Sequence, residues 1–129
     1  MKKFIKVFGL CLVLVLSACG KDGQQEYVEA ANEMVDIINT QIYTNKKDKE
    51  FNEKLVELEA SIQKIDDLDM SEENEAVSDE VVKTAKELVA CIKKLQTYNK
   101  NDKIEKYNKK IEEYNKLTKK IDSLNREIK

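Results

Sequence analysis

In this 129-residue chain, the side chains that could react or bind a metal ion are the three cysteines and one cluster of aspartates. The sequence contains no histidine, which removes histidine-based catalytic triads, histidine-containing zinc sites and the usual general base at neutral pH. A glycine-rich phosphate loop is missing as well, because no glycine lies beyond Gly23. We therefore expect a protein that is not an enzyme, with no catalytic residue, no cofactor and no bound metal.

The aspartate cluster, Asp66, Asp67 and Asp69, follows the second of four predicted helices. As a calcium-binding EF-hand loop that starts at Asp67, it has Glu72 where the sixth position requires glycine. The twelfth position, which requires glutamate, is Ser78. We interpret the cluster as a solvated turn, with weak cation binding as the alternative.

Cys91 is a second candidate for reactivity, as a redox group or a nucleophile. Leu88, Cys91 and Leu95 are spaced so that they share one face of a predicted helix. A buried thiol behaves as a small apolar residue, and we predict that Cys91 belongs to the core. An intermolecular disulfide is the alternative, since an odd cysteine in an exported protein can pair with another molecule.

The first residues of the chain have the pattern of an export signal. Residues 1–6 contain three lysines, and residues 7–16 are apolar apart from Gly9. A helix that spans a bilayer needs about 20 apolar residues, and this apolar run gives way to Ser17 sooner. Residues 1–18 are therefore predicted to be a signal peptide that is removed after export.

The four residues Leu16, Ser17, Ala18 and Cys19 form a motif at the end of this signal. They resemble the lipobox of bacterial lipoproteins, in which a bulky apolar residue and two small residues precede a cysteine. The resemblance implies that Cys19 receives a diacylglyceryl group, with fatty acids such as palmitate, and becomes the first residue of the mature chain. Two acyl chains anchor a protein stably in a membrane, and residues 19–24 would be the tether. A secreted protein with a coincidental cysteine is the alternative.

The composition of residues 19–129 favours a small helical domain. They carry 20 basic and 25 acidic side chains and no proline, and helix formers dominate, so all-α is the natural fold class. Cys91 alone would remain as a free thiol, and no disulfide framework is expected. The abundance of Lys, Asn, Ile and Glu favours a Gram-positive source, with the protein on the outer face of the cell membrane.

Apolar spacing predicts four amphipathic helices. The first covers about residues 25–43, and the second has core positions from Phe51 onwards and ends in the aspartate turn. Ser71 is predicted as the N-cap of the third, which ends near Asn99. The residues predicted to face the core in these three helices are Val28, Ala31, Val35, Ile38, Ile42, Phe51, Leu55, Leu58, Ile62, Ile65, Val77, Val81, Ala85, Leu88, Ile92 and Leu95.

The fourth helix is the most regular, because residues 103–109 repeat with one difference as residues 110–116. Asp102, with Glu105 three residues later, is predicted to cap it. The seven-residue repeat predicts a coiled-coil-like seam formed by Ile104, Tyr107, Ile111, Tyr114, Leu117, Ile121, Leu124 and Ile128. The ion pairs predicted along it are Asp102–Lys106, Glu105–Lys109, Glu112–Lys116 and Asp122–Arg126.

We predict one all-α domain, residues 25–129, folded as an up-down bundle of three or four amphipathic helices with coiled-coil-like packing. Short connections between consecutive helices favour antiparallel neighbours. The alternative is an extended helical hairpin in which the first two helices fuse, because the polar run 44–48 between them contains no glycine or proline.

Charge is unevenly divided along the chain. Residues 19–90 carry 8 basic and 19 acidic side chains, whereas residues 91–129 carry 12 basic and 6 acidic ones. This asymmetry signals an anionic partner, such as a wall polymer or lipid headgroups, or it lets the basic last helix neutralise the acidic earlier ones. The lysines of the candidate interaction surface are Lys109, Lys110, Lys116, Lys119 and Lys120. Nucleic acid is a poor candidate partner for an exported, net-acidic domain.

Three tyrosines, Tyr98, Tyr107 and Tyr114, each begin a Tyr-Asn-Lys triplet. We predict that their rings belong to the core and that their phenol oxygens reach water at its edge. Stacking of the rings against sugars is the alternative.

Together these patterns favour a non-enzymatic, membrane-tethered module that binds a protein or an envelope polymer at the cell surface. In plan, with a lipobox followed by Lys/Glu-rich helices, the chain is similar to small helical lipoproteins described as cell-wall-binding. The alternative function is that of a mobile-element accessory lipoprotein that acts in phage or conjugation exclusion. Prophage or plasmid genes beside its gene would favour this alternative.

Overall fold

The computed structural model describes residues 24–41 and 48–128. The predicted signal peptide, Cys19 and the tether as far as Gly23 lie outside the described residues, as does Ile42. The described chain is helical and contains no strand. Its elements are α1 (Gln24–Asp36), a π-helical turn (Ile37–Gln41) that continues it, α2 (Asp48–Asp66), α3 (Glu72–Lys100) and α4 (Ile104–Glu127).

Consecutive helices are antiparallel. Lys64 Nζ of α2 lies 2.9 Å from Glu33 Oε2 of α1, and Lys100 Nζ at the end of α3 lies 2.7 Å from Asp48 Oδ2 at the start of α2. At the other end of the bundle, the Tyr27 hydroxyl donates a 2.6 Å hydrogen bond to Asn125 Oδ1, which joins the start of α1 to the end of α4. The predicted up-down helical bundle is confirmed, with four helices. Fusion of the first two helices is excluded, because they pack against each other.

The α3–α4 hairpin is the longest part of the bundle. α3 has 29 residues and α4 has 24, which correspond to about 43 Å and 36 Å at 1.5 Å per residue. A three-residue turn, residues 101–103, joins them. No helix within the described ranges is both long enough and apolar enough to cross a bilayer.

The predicted apolar stripes form the core. All the positions predicted for α2 are buried, as are those predicted for α3 except Val77, which is half-buried. In α4 the central positions are buried, and Ile104, Leu124 and Ile128 near its ends are half-buried. The core also contains residues that the stripes did not include, namely Tyr27, Ala30, Met34, Ile37, Val82 and Val89.

Ser71 is the N-cap of α3, as predicted, with an extended backbone at φ −62° and ψ 154°. Its carbonyl oxygen accepts hydrogen bonds from the backbone N–H groups of Asn74 and Glu75. Its side chain makes no capping hydrogen bond. Acidic residues in the first turn, Glu72 and Glu73 among them, favour the positive end of the helix dipole.

The predicted capping role of Asp102 is wrong, because Lys103 is the N-cap of α4. Asp102 has a φ of 53° and ends α3 instead. The N–H of Asp102 bonds to the Asn99 carbonyl and that of Lys103 to the Tyr98 carbonyl, which is the Schellman arrangement. A three-residue reversal needs a left-handed residue, and aspartate tolerates that conformation better than most residues other than glycine.

Candidate functional site

A cleft lined largely by lysines and glutamates lies on the α3–α4 hairpin, and we call it the basic groove. Its volume is about 440 Å³. Both helices contribute to it, since one tyrosine comes from the end of α3 and the charged side chains come from residues 106–116 of α4. The groove is lined by Tyr98, Lys106, Lys109, Lys110, Glu112, Glu113 and Lys116.

The heptad repeat of α4 explains why lysines line this groove. Tyr107, Ile111 and Tyr114 are buried against the bundle, so the positions between them face outwards. Lys109 and Lys116 occupy equivalent places in successive heptads and are exposed. Their α-carbons are therefore about 10 Å apart along the helix axis.

One lysine of the groove is neutralised locally. Lys110 Nζ donates a hydrogen bond to Glu113 Oε2, and this bond raises the pKa of the Lys110 ammonium group. Glu113 stands at the repeat position that Lys106 occupies one heptad earlier, which is the only difference between the two heptads. Lys106, Lys109 and Lys116 are the exposed ammonium groups of the groove.

The structure divides the five lysines that the sequence singled out. Lys109, Lys110 and Lys116 line the basic groove. Lys120 lies outside it, with Nζ 3.4 Å from Glu80 Oε2 of α3, an ion-pair distance without a hydrogen bond. Lys119 is exposed nearer the end of α4.

The charge asymmetry was interpreted either as a surface for an anionic partner or as neutralisation of the acidic helices by the basic last helix, and this division is compatible with both. The ion pair of Lys120 with Glu80 is a contact of the basic last helix with an acidic earlier one. Lys110 instead pairs within its own helix, and the exposed lysines of the groove remain available to a partner.

Sequence reasoning missed Lys106 and Tyr98 as residues of the groove. Lys106 carried a signal, because it precedes Lys109 and Lys110 by one helical turn. The sequence carries no signal for Tyr98, because its position beside α4 depends on how α3 and α4 pack against each other. It is half-buried, whereas Tyr107 and Tyr114 are buried as predicted.

Cys91 lies beneath the basic groove and is only 2% exposed. Its Sγ donates to the backbone carbonyl of Lys110 at 3.7 Å. Burial, together with the nearby Glu113 carboxylate, raises the pKa of the Cys91 thiol to about 11. The predicted core position is confirmed, and the burial disfavours the intermolecular disulfide.

The aspartate cluster lies at the opposite end of the bundle. Asp66, Asp67 and Asp69 are exposed in and beside the turn between α2 and α3. Within residues 24–41 and 48–128, no three carboxylate or thiol side chains are arranged to hold a metal ion.

Comparison of the chain with protein-family models, with curated proteins and with solved structures gave no match.

Proposed function

We propose that this protein is a lipid-anchored surface lipoprotein whose helical bundle is a non-enzymatic interaction module. The observation that carries the interaction role is the basic groove, in which three exposed lysines stand on one rigid helical hairpin. The anchoring role rests on the lipobox-like residues Leu16 to Cys19 and on the short apolar run before them.

The chemistry of the groove favours binding over catalysis. Its lining consists of ammonium and carboxylate groups and one phenol. The nearest thiol, Cys91, is buried and protonated at neutral pH. Ammonium groups at the spacing of Lys109 and Lys116 attract an anionic surface without needing to position a reacting atom.

The rigidity of the support also favours a binding role. α3 and α4 bury a continuous apolar seam, so the lysines project from a helix whose position is fixed. Surface ion pairs and exposed charges contribute little to stability. The exposed lysines can therefore be replaced without unfolding the bundle, and a loss of binding can be assigned to the groove.

The anchor is tested by expression in a bacterium that processes lipoproteins. The wild type should partition into the detergent phase and show an intact mass with diacylglycerol on Cys19. Cys19→Ala should leave an unlipidated precursor. A wild-type protein with an unmodified Cys19 would contradict the proposed anchor.

The interaction role is tested with isolated cell envelopes. The unlipidated domain, residues 24–129, should bind them at low salt and should be released as salt screens the charges. Lys109→Gln with Lys116→Gln should weaken binding. The matched control, Lys83→Gln with Lys86→Gln, removes the same charge from exposed positions of α3 outside the groove, and it should bind as the wild type does. Equal binding by both double variants would refute the role of the groove.

A further inference from the structure

The bundle has an acidic end, which we call the tether end and define as residues 24–29, 66–75 and 122–128. These residues carry ten carboxylates and one arginine. The hydrogen bond between Tyr27 and Asn125 joins the first and last of these segments. Glu26 and Glu29 of α1 line one cleft together with Asp67, which places the middle segment beside α1.

The opposite end of the α3–α4 hairpin is basic. Residues 93–116, which we call the groove end, carry eight lysines and four carboxylates and contain the basic groove. Along the α3–α4 hairpin, positive charge is therefore concentrated at the end that contains the basic groove.

We propose that the basic groove binds a linear polyanion of the cell envelope, and not the headgroups of the membrane that holds the anchor. This inference rests on the proposed lipid anchor at Cys19. Five peptide steps separate Cys19 from Gln24, the first residue of α1, and they span at most about 18 Å.

The anchor therefore holds the acidic end closest to the membrane. Along α4, Lys116 lies about 14 Å and Lys106 about 29 Å beyond Asn125. Electrostatic interactions between exposed charges are largely screened beyond about 8 Å in physiological salt. In an upright arrangement, an anionic bilayer repels the nearby carboxylates of the tether end and attracts the distant groove lysines only weakly. This difference favours an orientation with the groove end outwards.

The surface of the groove favours a polyanion over a folded protein. Protein interfaces have an apolar centre with aromatic anchors. Among the described residues, the one large apolar side chain that is exposed is Val56 of α2, on another part of the bundle. Apart from the half-buried Tyr98, the groove is lined by charged side chains, and its lysines act as compact point charges that can bind phosphate groups.

The test uses the lipidated full-length protein in vesicles, with its lysines footprinted by an acylating reagent and mass spectrometry. Long-chain polyphosphate should protect Lys106, Lys109 and Lys116 from the reagent, and leave Lys83 and Lys86 as reactive as before. Three contacts with a flexible polyanion predict that affinity falls about a hundredfold between roughly 50 mM and 500 mM salt.

The lipid arm compares vesicles of phosphatidylcholine with vesicles that contain phosphatidylglycerol. The three groove lysines should react equally in both. Their protection by phosphatidylglycerol would show that the groove lies on the membrane and would overturn the inference, as would the absence of protection by polyphosphate. The intact mass of the same sample reports lipidation separately, so a missing diacylglycerol overturns the proposed anchor instead.

Discussion

The two ends of the bundle differ in what they bury as well as in the charge that they expose. The tether end buries two amides, Asn74 and Asn125, and a phenol, Tyr27, which is hydrogen-bonded to Asn125. The groove end buries Leu95, Tyr107, Ile111 and Tyr114, and its one buried amide, Gln96, reaches Asp48 at 3.4 Å. An apolar seam supplies non-directional stabilisation, whereas a buried polar pair tolerates few registers.

The pair of Tyr27 with Asn125 illustrates how a buried polar pair restricts the register of two helices. The phenol donates to Asn125 Oδ1, and Asn125 Nδ2 has no hydrogen-bond partner among the described residues. Burial raises the pKa of the Tyr27 phenol well above its ordinary value, so the group stays a donor. A slip of α1 along α4 would bury this hydroxyl without an acceptor. We therefore expect the pair to restrict how the first and last helices meet, at some cost in stability.

The largest effect is expected from a charge in the apolar seam of the groove end. Ile111→Asp would bury a carboxylate without a partner and should destabilise the fold by more than about 4 kcal/mol. Chemical unfolding followed by circular dichroism measures the change. Lys109→Asp on the outer face should change stability by no more than about 0.5 kcal/mol. Similar losses from the two changes would show that the helix register is wrong.

An intermediate effect is expected at the tether end. Tyr27→Phe leaves Asn125 buried without its donor and should cost about 1–3 kcal/mol, as should Asn125→Leu, which leaves the phenol unpaired. The double variant replaces both partners by apolar groups and should cost less than the sum of the two single changes. Strict additivity in this double-mutant cycle would argue against the pair as a device that fixes register.

The smallest effect concerns Cys91 of the α3–α4 hairpin at high pH. The thiol has a pKa of about 11 when folded, so the unfolded chain, with its ordinary and lower thiol pKa, loses the proton first. The contribution of Cys91 to stability should therefore be flat below pH 9 and fall between pH 9 and pH 11, where the unfolded state binds fewer protons. Cys91→Ala should make this alkaline fall shallower when unfolding is measured across that range. An unchanged slope would show that Cys91 does not cause it.

Local patterns predicted the parts of the fold that depend on one helix at a time. The stripe of α4 with Tyr107 and Ile111, the cap at Ser71 and the burial of Cys91 all follow from spacing within about two turns. Such spacing decides which face of a helix is apolar, and the apolar face must be covered whatever the partner is.

The errors and omissions arise where two segments meet. Asp102 has the sequence signature of an N-cap. In the tight reversal between α3 and α4, however, it takes a left-handed conformation one residue before Lys103, the actual N-cap of α4. Tyr27 lay outside the predicted stripe of α1, and its hydroxyl hydrogen-bonds to Asn125, which is 98 residues away in sequence. The spacing of apolar residues within one helix cannot predict a contact between residues so far apart in sequence.

By itself, the sequence determined an all-helical bundle, its core faces, the excess of lysine in the last helix and the motif at Cys19. Only the tertiary structure decided that Tyr98 and Lys106 complete a groove and that Lys120 lies outside it. The tertiary structure also decided that carboxylates surround the start of α1 and that lysines gather at the opposite end of the α3–α4 hairpin. These features depend on the register between antiparallel helices, which is set by packing and by buried polar pairs across the bundle, whereas periodicity acts within each helix alone.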